Sequence, residues 1–347
     1  MSEQLAALIE RQNSIASGEG ELLSLPTFDT YTICNLRGGI GKTSLAFNLA
    51  YYADSILAVD TCPQCNLTWF FDPDYLQNVQ VSAYDMLLAH FVPGLGQATR
   101  IARSISATNQ FFEGKDAFYI PSDNQLYILP SQITTAIVQA QRMVGTQQTK
   151  ILDSMFYSLR TEIRREMQET GAKRCLIDTS PFFSGATHLA WHASDALIVP
   201  VRTDQQSINS LTLLLRTLSN PASEFRKILP SDGHTPKIQM VVLTHCSWST
   251  VRDARNIPNQ QTKMYAEKVL DVIRQYITHF TTDNPVNHLL LLDDFLGTGR
   301  ISSAKSKPIA LLTRGESMSI NRVRTEVNAS VSKIQNQLKY IYDSIWG

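Results

Sequence analysis

Short, nearly continuous apolar runs recur along the chain, and longer amphipathic stretches separate them. Apolar runs of this length, without alternation, are typical of strands buried on both faces of a parallel sheet. The predicted strands are Tyr31 to Asn35, Ser55 to Asp60, Leu126 to Leu129, Cys175 to Asp178, Ala196 to Val201, Ile238 to Thr244 and Leu289 to Leu292. The main predicted helices are Lys42 to Ala53, Thr149 to Thr170, Ser207 to Leu218 and Thr262 to Phe280. This alternation predicts an α/β fold: a doubly wound, mostly parallel sheet flanked by helices.

The two ends of the chain predict additions to this core. Residues 1–28 predict a helix on a flexible tether, used for a partner or for self-association; an irregular arm packed on the core is the alternative. Residues 29–347 form the predicted main domain, with an insertion near residues 90–124. An apolar stripe predicts a C-terminal helix over residues 319–345. That stripe either packs on its own domain or forms a coil with a partner.

Composition restricts the class of protein. The 347 residues have a formal net charge of zero and are 43% hydrophobic, which is typical of a globular protein and gives no overall basic field for nucleic acid or membrane. No apolar run approaches the roughly 18 residues of a membrane-spanning helix, and the N-terminus lacks a signal-peptide core. Five cysteines are an odd number, which argues against a disulfide framework. We therefore expect a cytoplasmic protein without a stable membrane anchor.

One glycine-rich turn carries the clearest chemistry. Residues 37–43 read Arg-Gly-Gly-Ile-Gly-Lys-Thr, the short GGxGK[ST] form of a phosphate-binding loop, between a predicted strand and a predicted helix. Backbone N–H groups of such a turn point at phosphate oxygens, and the helix N-terminus adds positive potential. Lys42 would reach the β- and γ-phosphates, and the Thr43 hydroxyl would bind magnesium. The motif thus predicts ATP with Mg²⁺ as cofactors.

Several sequence blocks together resemble the ParA/MinD family of deviant Walker A ATPases, over roughly Thr30 to Leu312. In chain order they are Asn35 to Ser44 (the deviant Walker A region), Val59 to Thr68 (the first switch), Leu129 to Ser131, Leu176 to Pro181 (Walker B and the second switch) and Gly299 to Ile309 (a late basic loop). The resemblance implies a P-loop NTPase fold and a cytoplasmic, in some cases nucleoid-associated, switch. Its members form ATP-dependent homodimers and respond to an activating partner protein.

The resemblance also implies roles for individual residues. The nucleotide-binding residues would be Arg37, Gly38, Gly39, Ile40, Gly41, Lys42, Thr43 and Ser44. The magnesium site would use Thr43, Asp60 and Asp178. The catalytic residues would be Lys42, Arg37 and Asp60.

Two positions depart from the family pattern. The signature lysine, which contacts the nucleotide of the partner subunit, is Arg37 here; its planar fork suits the same contact, and capping a surface carboxylate is the alternative. The catalytic aspartate that orients water is replaced by Cys62. A neutral thiol orients water poorly, so we expect slow or absent hydrolysis.

The sequence leaves the output of the switch open. It predicts a slow, magnesium-dependent ATPase that controls binding to DNA or a partner protein, as in partition and positioning ATPases; a non-hydrolysing, ATP-bound scaffold is the alternative. Six basic residues between Arg300 and Arg324 suggest non-specific DNA binding, or simply a solvated face. Cys62 and Cys65 have the CxxC spacing of redox and zinc sites, but the chain lacks the further ligands of a zinc site. A redox pair is one interpretation; two cysteines that incidentally occupy small positions of the switch loop are the other.

Overall fold

The computed structural model describes residues 2–78, 81–92, 95–96, 100–143, 145–183, 185–227, 229–249 and 256–347. Eight strands form its main sheet, and two more form a separate hairpin. The strands are β1 (Thr30–Ile33), β2 (Ser55–Asp60), β3 (Arg103–Ser104), β4 (Asp116–Ile120), β5 (Arg174–Asp178), β6 (Ala196–Arg202), β7 (Lys237–Cys246), β8 (Leu289–Asp293), β9 (Ser317–Ile320) and β10 (Val323–Glu326).

The main sheet has the order β3-β4-β2-β5-β1-β6-β7-β8. Every neighbouring pair is parallel except β3 with β4, so the carboxyl ends of β1, β2, β5, β6, β7 and β8 meet at one edge. Strands β1 and β5 are almost wholly buried, as their continuous apolar character predicts. The predicted fold, a mostly parallel sheet flanked by helices, is confirmed.

Helices cover both faces of the sheet. They are α1 (Glu3–Ser17), α2 (Lys42–Tyr52), α3 (Asn66–Phe71), α4 (Tyr75–Asn78), α5 (Ala83–Phe91), α6 (Leu129–Gln141), α7 (Thr146–Phe156), α8 (Ser158–Thr170), α9 (Gly185–Ala193), α10 (Gln205–Ser219), α11 (Glu224–Lys227), α12 (Gln260–Gln275), α13 (Leu296–Lys305) and α14 (Val331–Trp346). Buried side chains of α2, α3 and α14 pack on one face, and those of α5, α8, α9, α10 and α12 pack on the other. The helix predicted over Thr149 to Thr170 is divided at Tyr157. No described helix is long and apolar enough to cross a membrane.

One predicted strand is wrong, and two strands of the main sheet, β3 and β4, were missed. Leu126 to Leu129 lies in a 3₁₀ turn (Asn124–Ile128) and the start of α6, because Asp123 caps that turn by accepting a hydrogen bond from the Gln125 amide at 2.7 Å. The strand beside β2 is instead β4, which lies inside the segment predicted as an insertion, residues 90–124. Of that segment, residues 93–94 and 97–99 lie outside the described part of the chain.

The C-terminal helix is shorter than predicted. It begins at Val331 rather than near residue 319, and β9 and β10 form a hairpin before it. Asn321 and Arg322 both have positive φ angles, 50° and 68°, which is the backbone of a two-residue hairpin turn and ends any helix. Val323, part of the predicted stripe, is 61% exposed. From Val331 onward the stripe is buried against the protein's own core.

The N-terminal helix covers an edge of the sheet. The Gln12 side chain donates to the Leu291 carbonyl at 2.9 Å and accepts from the Leu291 amide at 3.2 Å, and Arg11 donates to the Leu289 carbonyl at 2.6 Å. An open strand edge invites pairing with another chain, and these side chains occupy the edge of β8.

The predicted flexible tether is contradicted, because Tyr340 and Trp346 donate hydrogen bonds to backbone carbonyls of residues 21 and 28.

Candidate functional site

The glycine-rich turn lies at the carboxyl edge of the sheet, between β1 and α2. Gly39 and Gly41 have φ angles of +67° and +89°, which L side chains rarely adopt. A Cβ atom built on either glycine meets no heavy atom within 4 Å, so the turn is open on that side. We call residues 37–44 the glycine cradle. A cavity of about 200 Å³ above it is lined by Gly38, Gly39, Ile40, Gly41, Lys42, Thr43, Ser44, Cys62, Gln64, Asn66, Thr179 and Pro181.

Lys42 reaches back over the cradle. Its Nζ donates to the Arg37 carbonyl at 2.7 Å, and the residue is only 7% exposed. Burial lowers the pKa of this lysine, while nearby Asp178 opposes that shift. A buried ammonium group held by one neutral carbonyl is under-solvated, so a polyphosphate in the cavity would be a better partner.

Thr43 and Asp178 join the cradle to the neighbouring strand β5. The Thr43 hydroxyl donates to Asp178 Oδ2 at 2.7 Å, and Asp178 Oδ1 is buried without a hydrogen-bond partner. Burial, and then the charge of Asp60, raise the pKa of Asp178 to about 7. An orphaned buried carboxylate oxygen beside a threonine hydroxyl is the donor chemistry that Mg²⁺ prefers.

Asp60 is committed to the loop that follows β2. Its Oδ1 accepts from the Cys62 amide at 2.9 Å, and its Oδ2 accepts from the Thr68 amide and hydroxyl at 2.8 Å each. The carboxylate is buried, and desolvation raises its pKa to about 6. Both oxygens therefore have partners, so the geometry gives Asp60 a role in holding the loop against α3. Its predicted roles in magnesium binding and catalysis stay predictions.

Cys62 lines the cavity but offers no base. The residue is 4% exposed, and burial, reinforced by Asp60, raises the pKa of its thiol to about 12. Burial raises the pKa of Cys65 to about 12 as well. A thiol must be ionised to attack or to bind metal, and the raised pKa values of both cysteines disfavour the ionised form. Among the described residues, no group of three or more potential ligands could hold a metal ion.

A larger cavity adjoins the cradle. It has a volume of about 680 Å³, and Gly39, Gly41 and Ser44 belong to its wall as well as to that of the smaller one. Its other walls come from the ends of β7 and β8, from α13 and from β9: Thr244, His245, Leu292, Asp293, Asp294, Phe295, Leu296, Gly299, Arg300, Ser303, Ala304 and Ile320. The Thr244 hydroxyl donates to the Ile40 carbonyl at 3.1 Å, which ties β7 to the cradle. We call this space the adjoining cavity.

A buried ion pair forms the floor of the adjoining cavity. Lys333 of α14 lies 3.4 Å from Asp293 Oδ1, and its Nζ sits 3.1 Å from the ring centroid of Trp248. Burial raises the pKa of Asp293 to about 6 and lowers that of Lys333 to about 8. Trp248 therefore packs against an ammonium group of its own chain. Asp293 and Lys333 were missed, because they lie 40 residues apart without a local motif.

The comparisons with known proteins agree on the family. The model of an AAA domain family matches residues 29–230, more than half of the chain. The chain belongs to this family, which is of the ParA/MinD type. It is 28% identical over 232 residues to a plasmid-partitioning protein ParA from Thermus thermophilus, a match covering 65% of this chain and 60% of that protein. It is 26% identical over 250 residues to a chromosome partitioning protein ParA from Caulobacter vibrioides, covering 70% of this chain and 78% of that protein.

Solved structures of low identity share the fold. An ATP complex of a McdA variant from Cyanothece has a TM-score of 0.59 at 16% identity, covering 92% of this chain and 98% of that one. A plasmid partition protein from Borrelia burgdorferi bound to AMPPNP has a TM-score of 0.53 at 15% identity, covering 91% and 99%. Both likenesses cover about nine tenths of this chain, which therefore shares their fold over most of its length.

The structure brings the predicted ParA/MinD-type residues together at one edge of the sheet. The cradle, Asp60 and Asp178 meet there, because β2, β5 and β1 are neighbours and Asp60 pairs with Asp178 in register. Arg37, in place of the family's lysine, forms an ion pair with Asp204 of its own chain. The late basic loop is partly neutralised, since Lys305 and Lys307 both contact Glu316 at about 3 Å.

Proposed function

We propose that this chain binds ATP with magnesium and acts as a nucleotide-controlled switch of the partition or positioning type, with slow hydrolysis. One observation carries the proposal: the open glycine cradle, with the buried Lys42 ammonium beside it, continues directly into the adjoining cavity. The small cavity suits the β- and γ-phosphates, and the larger one suits ribose and base. ParA relatives and an ATP-bound structural neighbour support the same reading.

Magnesium fits the residues present. Thr43 and Asp178 would hold the ion or its waters, because the Thr43 hydroxyl lies 2.7 Å from one Asp178 oxygen and the other is buried without a partner. Bound Mg²⁺ would neutralise charge on the phosphates. Asp60 would keep the loop in place rather than bind the ion directly, since both of its oxygens already accept hydrogen bonds.

Isothermal titration with ATP, with and without magnesium, tests nucleotide binding. We expect saturable binding that magnesium strengthens, and weaker binding by Thr43→Val. If ATP produces no heat of binding either with or without magnesium, the proposed nucleotide binding is wrong.

Slow hydrolysis follows from Cys62. The thiol is neutral, so it neither orients nor activates water as a carboxylate would. Steady-state phosphate release should be very slow in the parent, and Cys62→Asp should raise it by roughly tenfold or more. Cys65→Asp, in the same loop but not in the cavity wall, is the matched control and should leave the rate unchanged. Equal rates for all three proteins would show that the missing carboxylate does not limit turnover.

The output of the switch is proposed from the family and from surface charge. We infer that ATP joins two copies across the cradle and that a partner protein stimulates ATP hydrolysis. We also infer that exposed Arg314, Arg322 and Arg324 contribute to non-specific DNA contact. Such contact rests on phosphate neutralisation and weakens steeply with salt. Gel shifts at about 50 and about 200 mM salt test the DNA contact, because binding of this kind weakens steeply over that range. Arg322→Glu is the comparison variant.

The second candidate is an ATP-locked scaffold that does not hydrolyse its nucleotide, and the neutral Cys62 favours it specifically. The two candidates differ in what the purified protein retains. A locked scaffold carries intact ATP after purification, whereas a slow switch carries a mixture with ADP. Chromatography of the denatured protein's nucleotide distinguishes them.

A further inference from the structure

Arg37 is held inside its own subunit by two partners. Its Nη1 forms a short ion pair with Asp204 and also donates to the Ser207 hydroxyl at 2.7 Å. Its carbonyl accepts from Lys42 Nζ, so both the side chain and the backbone of this residue are fixed. The side chains of Arg37 and Asp204 are 30% and 26% exposed, so the pair lies at the rim of the site within reach of solvent.

Asp204 serves two structural purposes at once. It follows β6, the neighbour of β1 in the sheet, and it is the N-cap of α10, where its Oδ1 accepts from the Ser207 amide at 2.9 Å. The same oxygen receives the Arg37 guanidinium. Opposite charge and these hydrogen bonds lower the pKa of Asp204, against the effect of burial. The carboxylate therefore stays ionised as the counter-ion of Arg37.

We propose that the Arg37–Asp204–Ser207 contact is a latch that holds Arg37 in its own subunit and must open before Arg37 can contact a partner's nucleotide. This rests on the proposed function, in which two subunits close over ATP. Arginine suits a latch of this kind, because the two N–H groups of Nη1 lie in one fixed plane and bind the carboxylate and the hydroxyl together, whereas the lysine ammonium is a rotating point charge. Asp204 is then a positioning residue that opposes dimerisation.

Opening the latch depends on competition between anions. Arginine does not deprotonate in proteins, so a pH change in the neutral range does not release it. A partner's triphosphate carries more charge than one carboxylate and accepts the same fork. The latch therefore makes dimerisation selective for the triphosphate-bound state.

Asp204→Asn is the variant that tests this. Asparagine caps helices about as well as aspartate, so α10 keeps its cap while the ion pair is lost. A partly exposed pair contributes roughly a two- to fivefold factor, and two latches open per dimer, so we expect the ATP-dependent dimer dissociation constant to fall roughly four- to twenty-fivefold. Sedimentation with ATP and magnesium measures it. Ser207→Ala, which removes only the neutral partner, should shift the constant in the same direction by less.

Asp195→Asn is the matched control. Asp195 pairs with Arg160 at 3.1 Å with similar exposure, 28% and 21%, but at the opposite edge of the sheet, so its loss should leave the dimer constant unchanged. Thermal midpoints of all variants should match the parent, which excludes a merely structural effect of Asp204.

The outcomes separate the latch from the proposed function. If the parent and Asp204→Asn both bind nucleotide and have equal dimer dissociation constants, the latch is wrong and the proposed function stands. Weaker dimerisation by Asp204→Asn also overturns it, because Asp204 would then support the dimer. If calorimetry shows nucleotide binding but no protein dimerises, the latch has no competitor and fails. If the parent binds no nucleotide at all, the proposed function fails first.

Discussion

The glycine cradle and the adjoining cavity share a wall but are built in different ways. The cradle comes from eight consecutive residues between one strand and one helix, and its shape depends on two glycines with positive φ angles. The adjoining cavity is assembled from the ends of β7 and β8, from α13 and from β9, and its floor is an ion pair between β8 and α14. The first is local in sequence, and the second depends on strand order and helix packing.

Substitutions in the cradle and in the adjoining cavity should therefore have different effects on ligand binding and stability. A local turn keeps its conformation as long as its backbone preferences are intact, so changes there should affect ligand binding more than stability. A site assembled from distant segments shares its residues with the core, so changes there should affect stability and binding together. The following substitutions test this contrast.

The largest effect is expected from Lys333→Met under the adjoining cavity. Removing one member of a buried ion pair leaves Asp293 uncompensated, so the free energy of unfolding should fall by about 3 kcal/mol at pH 8. The loss should be smaller at pH 5, because the pKa of Asp293 is already raised to about 6 and the lone carboxyl would be protonated there. Urea unfolding at the two pH values measures this.

Two further variants bracket that result. Lys339→Met removes an exposed pair with Asp343 and should change stability by less than about 0.5 kcal/mol. Adding Asp293→Asn to Lys333→Met should recover much of the loss, since no buried charge then remains. Equal losses of unfolding free energy by Lys333→Met at pH 8 and pH 5 would contradict the role given to the buried Asp293–Lys333 pair.

Lys42→Met in the cradle should act on binding alone. Hydrogen bonds to a charged group contribute roughly 1.5 to 3 kcal/mol, so ATP affinity should fall by about 100-fold. In the free protein the substitution removes the hydrogen bond from Nζ to the Arg37 carbonyl. Because methionine fills a similar volume, the unfolding midpoint should stay near that of the parent. Titration calorimetry with ATP, paired with urea unfolding, gives both values, and a large drop in stability would contradict the local character of the cradle.

Acid should lower the stability of the protein through two histidines of α9, the helix that follows the second switch. His192 of α9 is buried and His188 is partly buried, both among aromatic rings and with ring nitrogens that lack partners. Desolvation lowers the pKa of His188 to about 4 and that of His192 further. The unfolded chain takes up these protons below pH 6.5 and the folded chain does not, so stability falls as pH drops from 6.5 toward 4. At pH 5 the loss should be about 2 kcal/mol per histidine, from 1.5 pH units at about 1.4 kcal/mol each.

Replacing the histidine checks that origin. His192→Leu should flatten the stability profile between pH 6.5 and 5 relative to the parent, as followed by urea unfolding. An unchanged slope would assign the acid sensitivity to other groups.

The smallest effect is expected from Ile320→Ser on the hairpin wall of the adjoining cavity. Removing this apolar side chain should weaken ATP binding by about fivefold, near 1 kcal/mol, with little change in stability because the hairpin is at the surface. Val323→Ser, on the other hairpin strand and 61% exposed, is the control and should leave affinity unchanged. Identical affinities for both variants would remove the hairpin from the nucleotide site.

Sequence patterns predicted the parts that depend on neighbouring residues. The strands ending at Asp60 and Asp178 and the cradle that follows β1 could be read directly, because buried parallel strands are apolar without interruption and the turn needs its glycines. The 3₁₀ turn at Asn124–Ile128 was misread as a strand, since a run of five residues does not distinguish the two. The hairpin before α14 was missed because Ile320, Val323 and Val327 happen to match a helical spacing.

The sequence by itself determined the class of fold and the glycine cradle with the residues that form it, because each depends on local backbone preference or on burial of one continuous segment. Only the tertiary structure decided that Asp60 is committed to its own loop, that Lys333 lies beneath the adjoining cavity and that Asp204 holds Arg37. Those contacts join residues far apart in the chain, and their partners are chosen by strand order and helix packing, which no local pattern encodes.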